Sequence, residues 1–211
     1  MKKLPLLLIA LAVPVVLSFT VNVTADDNAG AAKSAEAGFV SLFNGKDLDG
    51  WKASEGVQWN VVDSVIVTPP KRSHLFTTKE FRNFELRLEI LTTKGSNSGV
   101  YFCTKYEETW PSQGYEAQVN QTHTDPVKSG SLYNVKKILE SAARDEEWYT
   151  YTIRVEGRKI TIKVNDKVVN EYTEPKNPTH PQRLQLGSIA LQAHDPKSVV
   201  KYRNIRIKPL D

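Results

Sequence analysis

The sequence predicts an all-β protein, a two-sheet antiparallel sandwich of the jelly-roll kind. Three observations carry this. From residue 57 onward almost every segment repeats with a period of two. Short turn signals such as Lys94-Gly95-Ser96-Asn97, Glu156-Gly157-Arg158 and Asn165-Asp166 separate those segments. No helices alternate with the strands, which argues against a parallel α/β sheet and for a sandwich.

The chain of 211 residues opens with Lys2 and Lys3, an apolar run from Leu4 to Leu17 and a small-residue site at Val23-Thr24-Ala25. This is the pattern of an export signal over residues 1–25. Pro5 and Pro14 interrupt the run, which suits a signal better than a spanning helix. Residues 26–38 (DDNAGAAKSAEAG) are small, polar and aperiodic, and are expected to form a disordered spacer. One domain then covers residues 39–211, starting with FVSLF and an Asn44-Gly45 turn. Its expected strands are Val57–Val62, Val65–Thr68, His74–Thr78, Asn83–Thr92, Ser98–Thr104, Gly114–Asn120, Tyr149–Glu156, Lys159–Asn165, Lys167–Tyr172, Ser188–His194 and Val199–Lys208. The one stretch read as helical is Lys136–Arg144. Thr104–Ser112 and Thr122–Leu132 do not alternate, and are read as polar, aromatic loops on either side of Gly114–Asn120.

Charge and composition exclude several classes. The formal charge is +4, and +2 without the two signal lysines, too little for nucleic acid in a chain with no basic run interleaved with aromatics. No segment after the signal is apolar enough to span a bilayer, so the expectation is an exported, soluble protein, periplasmic or extracellular. The single cysteine, Cys103, excludes an internal disulfide. It lies in the apolar alternation GVYFCT and is expected to be a buried, inert thiol. His74, His123, His180 and His194 show no metal spacing, and there is no HExxH motif, phosphate loop or nucleophile elbow. No metal and no cofactor is expected.

The candidate chemistry lies on two strands. In GYEAQVN, Tyr115, Ala117 and Val119 point one way and Glu116, Gln118 and Asn120 the other. A carboxylate flanked by amides on one face is an acid/base candidate beside rigid hydrogen-bonders, unless the face is merely solvated. In GSIALQAHD, Gln192 and His194 form a similar polar pair on the face they share with Ala190. Glu85, Arg87 and Glu89 share a third face, either solvated or lining a groove, with Arg87 as a candidate ligand contact. Trp110, Tyr106 and Trp51 are candidate stacking platforms for sugar rings.

Several runs in order resemble the 3-keto-disaccharide hydrolase domain family: FNGKDLDGW at Phe43–Trp51, Asn97-Ser98-Gly99 before VYF, GYEAQV, SGSLYNV at Ser129–Val135, and GSIALQAHD followed by YRNIRIKPL. The similarity runs from about Phe39 to Leu210. It implies a fold similar to the concanavalin A-like lectin and glucanase sandwich, and action on glycosides oxidised at carbon 3. By position, Glu116 and Gln118 fall on the family's YExQ strand, Asn97 on its NSG turn and His194 on its LQxH ending. Asn120, Ser131 and Asp195 depart from the family's usual aspartate, alanine and glycine. The implied chemistry is removal of the carbon 2 proton and elimination at carbon 1, by a hydrolase or lyase. Glu116 and His194 would be base and acid in either order, with Gln118, Asn97, Asn120, Trp110 and Arg87 binding substrate. A non-catalytic carbohydrate-binding module is the alternative, since one sandwich serves both purposes. The expected partner in either case is a carbohydrate.

Overall fold

The computed structural model describes residues 37–179 and 182–210. The expected signal, all but the last two residues of the expected spacer, and His180 lie outside the described residues.

Among the described residues there are thirteen strands and no helix. They are β1 (Val40–Ser41), β2 (Trp51–Ala53), β3 (Asn60–Val62), β4 (Val65–Val67), β5 (Ser73–Thr77), β6 (Phe84–Thr92), β7 (Asn97–Thr104), β8 (Tyr115–Asn120), β9 (Tyr149–Glu156), β10 (Lys159–Val164), β11 (Lys167–Thr173), β12 (Ser188–Ala193) and β13 (Val200–Pro209). One sheet runs β11-β10-β9-β6-β13-β4-β3, with β1 added on β13. The other runs β2-β5-β12-β7-β8. Neighbours pair antiparallel. The eleven expected strands are all present, within a few residues at their ends.

The alternation sorts residues between core and outside. On β6, Phe84, Leu86, Leu88 and Ile90 are buried while Glu85, Arg87 and Glu89 face out. Tyr115, Ala117 and Val119 of β8 and Ile189, Leu191 and Ala193 of β12 meet them from the other sheet in one core. The other face of the five-stranded sheet is covered as well, since β5, β7 and β12 are buried along their whole length. Loops do that covering, and the site lies beneath them.

Two core tyrosines of the eight-stranded sheet reach across to hold the other sheet from behind. Tyr151 on β9 donates its hydroxyl to the carbonyl of Gln118 at 2.9 Å and accepts the Gly130 N–H at 2.9 Å. Tyr202 on β13 shares a 2.6 Å hydrogen bond with Ser98 Oγ, which lies 2.6 Å from the carbonyl of Gln192. Buried hydroxyls need such partners, and these are supplied by the strands that carry the candidate site.

The expected helix over Lys136–Arg144 does not form. Lys136 and Leu132 exchange both backbone hydrogen bonds at 2.9 Å, and the Ile138 carbonyl accepts from Lys128 N. Ile138 N donates to Ser131 Oγ. Those groups would have to point along a helix axis; instead they tie the segment sideways to the run Lys128–Leu132. That run itself lies along the free edge of β8, through Ser129 N to Asn120 O, Gln118 N to Ser131 O, and Tyr133 N to Glu116 O. The edge that β8 would otherwise expose is thereby paired.

Candidate active site

The outer face of β7, β8 and β12 forms the floor of a cavity of about 350 Å³. Register explains the grouping. Gly99 on β7 stands opposite Gln118 on β8, and Tyr101 opposite Glu116. Gln192 on β12 stands opposite His74 on β5. Asn97, Tyr101, Glu116, Gln118, Gln192 and His194 all line the same cavity.

Glu116 lies at its centre. Its Oε2 accepts the Tyr101 hydroxyl at 2.8 Å, and Gln192 Nε2 reaches both Tyr101 Oη at 3.2 Å and Glu116 Oε1 at 3.5 Å. The side chain folds down over Gly99. A methyl group there would stand 2.8 Å from Glu116 Cγ and Cδ and closer still to Oε1, so glycine makes room for the carboxylate. Burial pushes the Glu116 pKa up to about 7, with the charge of Asp125 adding to it and the Tyr101 hydrogen bond opposing. The Tyr101 phenol is held far above its ordinary range by burial and then by Glu116, so it remains a donor.

The amides flank this carboxyl. Gln118 Nε2 donates to Asn97 Oδ1 at 2.7 Å, which leaves the Asn97 N–H groups to the cavity. The buried Oε1 atoms of Gln118 and Gln192 receive no hydrogen bond from the protein. A buried acceptor of this kind is suited to a ligand hydroxyl.

His194 follows β12 at the rim. Its Nδ1 lies 2.9 Å from Asp195 Oδ2, which Ser198 Oγ also contacts at 2.7 Å, while Lys197 N donates to Oδ1 at 2.8 Å. Burial works against the Asp195 charge, but the hydrogen bonds from Ser198, His194 and Lys197 outweigh it and bring its pKa to about 2. An ionised Asp195 fixes the proton on Nδ1 and leaves Nε2 as an acceptor. Ser198 Oγ also accepts from Asn97 N at 2.9 Å, linking the two site turns.

Loops build the walls. Trp110 packs edge-on to His194 with ring centroids 5.8 Å apart. Asp125, Tyr133 and Asn134 come from the segment after β8, and Gln182 from the segment before β12. That last segment is closed by buried Glu174, which accepts from Tyr115 Oη at 2.8 Å and Leu184 N at 2.7 Å. Among the described residues no three His, Cys, Asp or Glu side chains converge as a metal site.

Of the expected site residues, Glu116, His194, Gln118, Asn97 and Trp110 line this one cavity. Arg87 does not. It lies on the outer face of the other sheet, paired with Glu85, its guanidinium over the Phe39 ring. Asn120 shares the parity of Glu116 but sits at the strand end. Its Nδ2 donates to the carbonyls of Asp125 at 3.0 Å and Val127 at 2.8 Å, so it braces the loop that carries Asp125. Trp51 is a core residue donating to the Leu42 carbonyl, and Tyr106 packs on Phe76 with Lys52 over its ring. Cys103 is buried, and burial pushes its thiol up to about 12. Sequence reading missed Tyr101 and Gly99, although both share the parity of Asn97. Asp125, Tyr133 and Asn134 carry no periodic signal.

Comparison with known proteins agrees with this architecture. Residues 38–208 match the family described as the 3-keto-alpha-glucoside-1,2-lyase-like domain. A protein of Bacteroides thetaiotaomicron named 3-keto-disaccharide hydrolase is 24% identical over 231 aligned residues, covering 82% of this chain and 79% of that one. The crystal structure of a candidate glycosyl hydrolase from Parabacteroides distasonis superimposes with a TM-score of 0.72 at 23% identity, covering 82% of this chain and 94% of that one. A carbohydrate-binding module from Bacillus subtilis gives 0.56 at 12% identity, over 75% and 95%. At such identities these structures bear on the fold alone, an antiparallel sandwich shared by enzymes and binding modules.

Proposed function

The chain belongs to the 3-keto-alpha-glucoside-1,2-lyase-like domain family, and from that premise we propose that it cleaves glycosides oxidised at carbon 3 of a glucose unit. The observation that carries the proposal is a carboxyl with a pKa of about 7 in the same cavity as a histidine oriented by an ionised aspartate. A raised carboxyl beside an oriented imidazole in one cavity is what acid–base catalysis requires.

The ketone acidifies the proton on carbon 2. His194, with Nδ1–H held by Asp195, presents the lone pair of Nε2 and is the better base. Glu116, largely protonated below pH 7, is the better acid. The carbon 2 to hydrogen bond breaks toward His194 and an enediolate forms. The carbon 1 to oxygen bond then breaks, and the leaving oxygen takes the Glu116 proton. Water adds to the unsaturated product with the roles reversed: Glu116 receives a proton from water at carbon 1 and His194 returns one to carbon 2. Without that second half the reaction is a lyase. Asn97 and the second N–H of Gln118 are the amide donors for the ketone oxygen as it gains charge.

The test is isotopic. Purified protein is given a 3-keto glucoside in deuterated water while carbon 2 is followed. Elimination places deuterium at carbon 2 of the product beyond a protein-free control, and the unoxidised glucoside is inert. Glu116→Gln and His194→Ala each lower the rate roughly 10²–10⁴-fold. A product unsaturated between carbons 1 and 2 would mark the lyase, whereas a hydrolysed product that keeps its original carbon 2 proton would replace this mechanism by direct displacement at carbon 1, for which Asp125 supplies a second carboxylate. Tight sugar binding without turnover, indifferent to oxidation at carbon 3, would make the protein a binding module.

A further inference from the structure

The mechanism leaves two histidines of the site region unused: His123, edge-on to His194 at 6.0 Å between centroids, and His74. The latter sits on β5, on the outer face beside Gln192, and its side chain is wholly buried. Neither ring nitrogen has a hydrogen-bond partner. Rings enclose it: Tyr101 edge-on at 5.3 Å, Phe76 at 6.1 Å and Trp110 edge-on at 5.2 Å between centroids. Burial, then the charges of Arg72 and His194, lower its pKa to about 3, so the imidazole is neutral. It therefore keeps one N–H donor and one acceptor on a single rigid ring.

Two unmade hydrogen bonds on a buried ring weaken a fold, and phenylalanine would fill the same space without that cost. What covers the ring on the cavity side is Trp110. That indole belongs to an irregular segment between β7 and β8 and is itself 39% exposed. It stands between His74 and His194, with the Arg72 guanidinium 5.5 Å away over its ring. On one side of the indole is the reacting cavity. On the other are a donor–acceptor ring and a cation, a suitable bed for sugar hydroxyls.

We propose that His74 is a sugar-binding residue of a second subsite, one that takes the leaving-group sugar of a 3-keto diglycoside when Trp110 turns aside. The proposal rests on the reading of the cavity as a 3-keto-glycoside site, and deepens it by assigning the residue that receives the second sugar. The ring nitrogen uncovered by the indole donates to or accepts from one sugar hydroxyl, and the displaced indole provides an apolar face for the sugar ring.

The experiment compares a 3-keto α-linked diglucoside with 3-keto methyl α-glucoside, whose leaving group is too small to reach His74. In His74→Ala and His74→Phe, kcat/KM for the diglucoside falls at least ten-fold further than for the methyl glucoside, mainly through KM; His74→Gln recovers much of the difference. His74→Phe has a Tm equal to or above that of the unaltered protein, which separates lost recognition from lost folding. Equal losses on both substrates would overturn the subsite. A second readout does not need turnover. In Glu116→Gln with ¹⁵N-labelled histidine, the diglucoside shifts the His74 ring nitrogens and the methyl glucoside does not. That shift, with the unaltered protein inactive on both substrates, would keep the subsite and discard the chemistry. Turnover of both substrates with an unmoved His74 signal would keep the chemistry and discard the subsite.

Discussion

Replacing Glu116 by glutamine should change how stability depends on pH, and the size of the change follows from the site. The carboxyl has an ordinary pKa of 4.5 and is raised by burial to about 7 in the fold. Between those values the unfolded chain has released a proton that the folded chain still holds, so stability falls as pH rises, and levels off above 7. Each pH unit is worth about 1.4 kcal/mol. Across the window, after a discount for the opening to solvent, the loss is about 2–3 kcal/mol. For a domain of this length that is ~5–10 °C in Tm. Glutamine keeps an oxygen for the Tyr101 hydroxyl but does not titrate, so Glu116→Gln lacks the fall. His74 works in the opposite direction: its folded pKa of about 3 lies below the usual 6.5, and its contribution is lost as pH drops below 6.5. Both proteins share that slope, and their difference removes it. Urea unfolding from pH 4.5 to 8.5 measures the two curves. Parallel curves would show that Glu116 titrates normally, and its role as the acid would fall with them.

Two further substitutions probe the same floor. Gly99→Ala places a methyl group against Glu116 at a position whose backbone tolerates alanine, so urea unfolding should show stability lowered by about 1–3 kcal/mol with the fold kept, while the rate on a 3-keto glucoside drops about 100-fold because the carboxyl is displaced. Asp195→Asn removes the charge that fixes the His194 proton. It should lower kcat about 10–1000-fold with little change in KM, and the His194 ring nitrogens should report the altered tautomer by NMR.

How much of this was legible in the sequence depended on what a period of two can say. It separates core from outside along a strand, so Glu116 with Gln118, and Gln192 with His194, were legible as shared faces. It does not say which sheet a strand joins. Glu85, Arg87 and Glu89 alternate as cleanly, yet lie on the far side of the molecule, satisfied by Arg154 and Arg203. Nor does it hold at strand ends, where Asn120 turns into the loop instead of the cavity. β1 and β2, with two and three residues, are too short to show any period. The segment from Lys136 has a helical composition, but its backbone groups are taken by the neighbouring run, a long-range choice that local propensity cannot register. The burial of His74 is also a tertiary fact, made by Trp110 from a distant loop.

The two buried tyrosines behind the floor have an evolutionary consequence. Tyr151 fixes the height of the strand bearing Glu116 and Gln118, and Tyr202, through Ser98, that of the strand bearing Gln192. The reach of each is a phenol ring, a rigid spacer anchored in the opposite sheet. The reacting floor is therefore dimensioned from inside the molecule and owes little to the loops above it. Trp110, Asp125, Tyr133 and Gln182, which line the rest of the cavity, all sit on those loops. On the proposed function, chemistry and choice of leaving group are thus carried by parts of the chain that can change independently. Lineages of this fold can exchange their loops and acquire new glycosides while inheriting one reaction, and an engineer seeking new substrates should randomise the loops and leave both tyrosines alone.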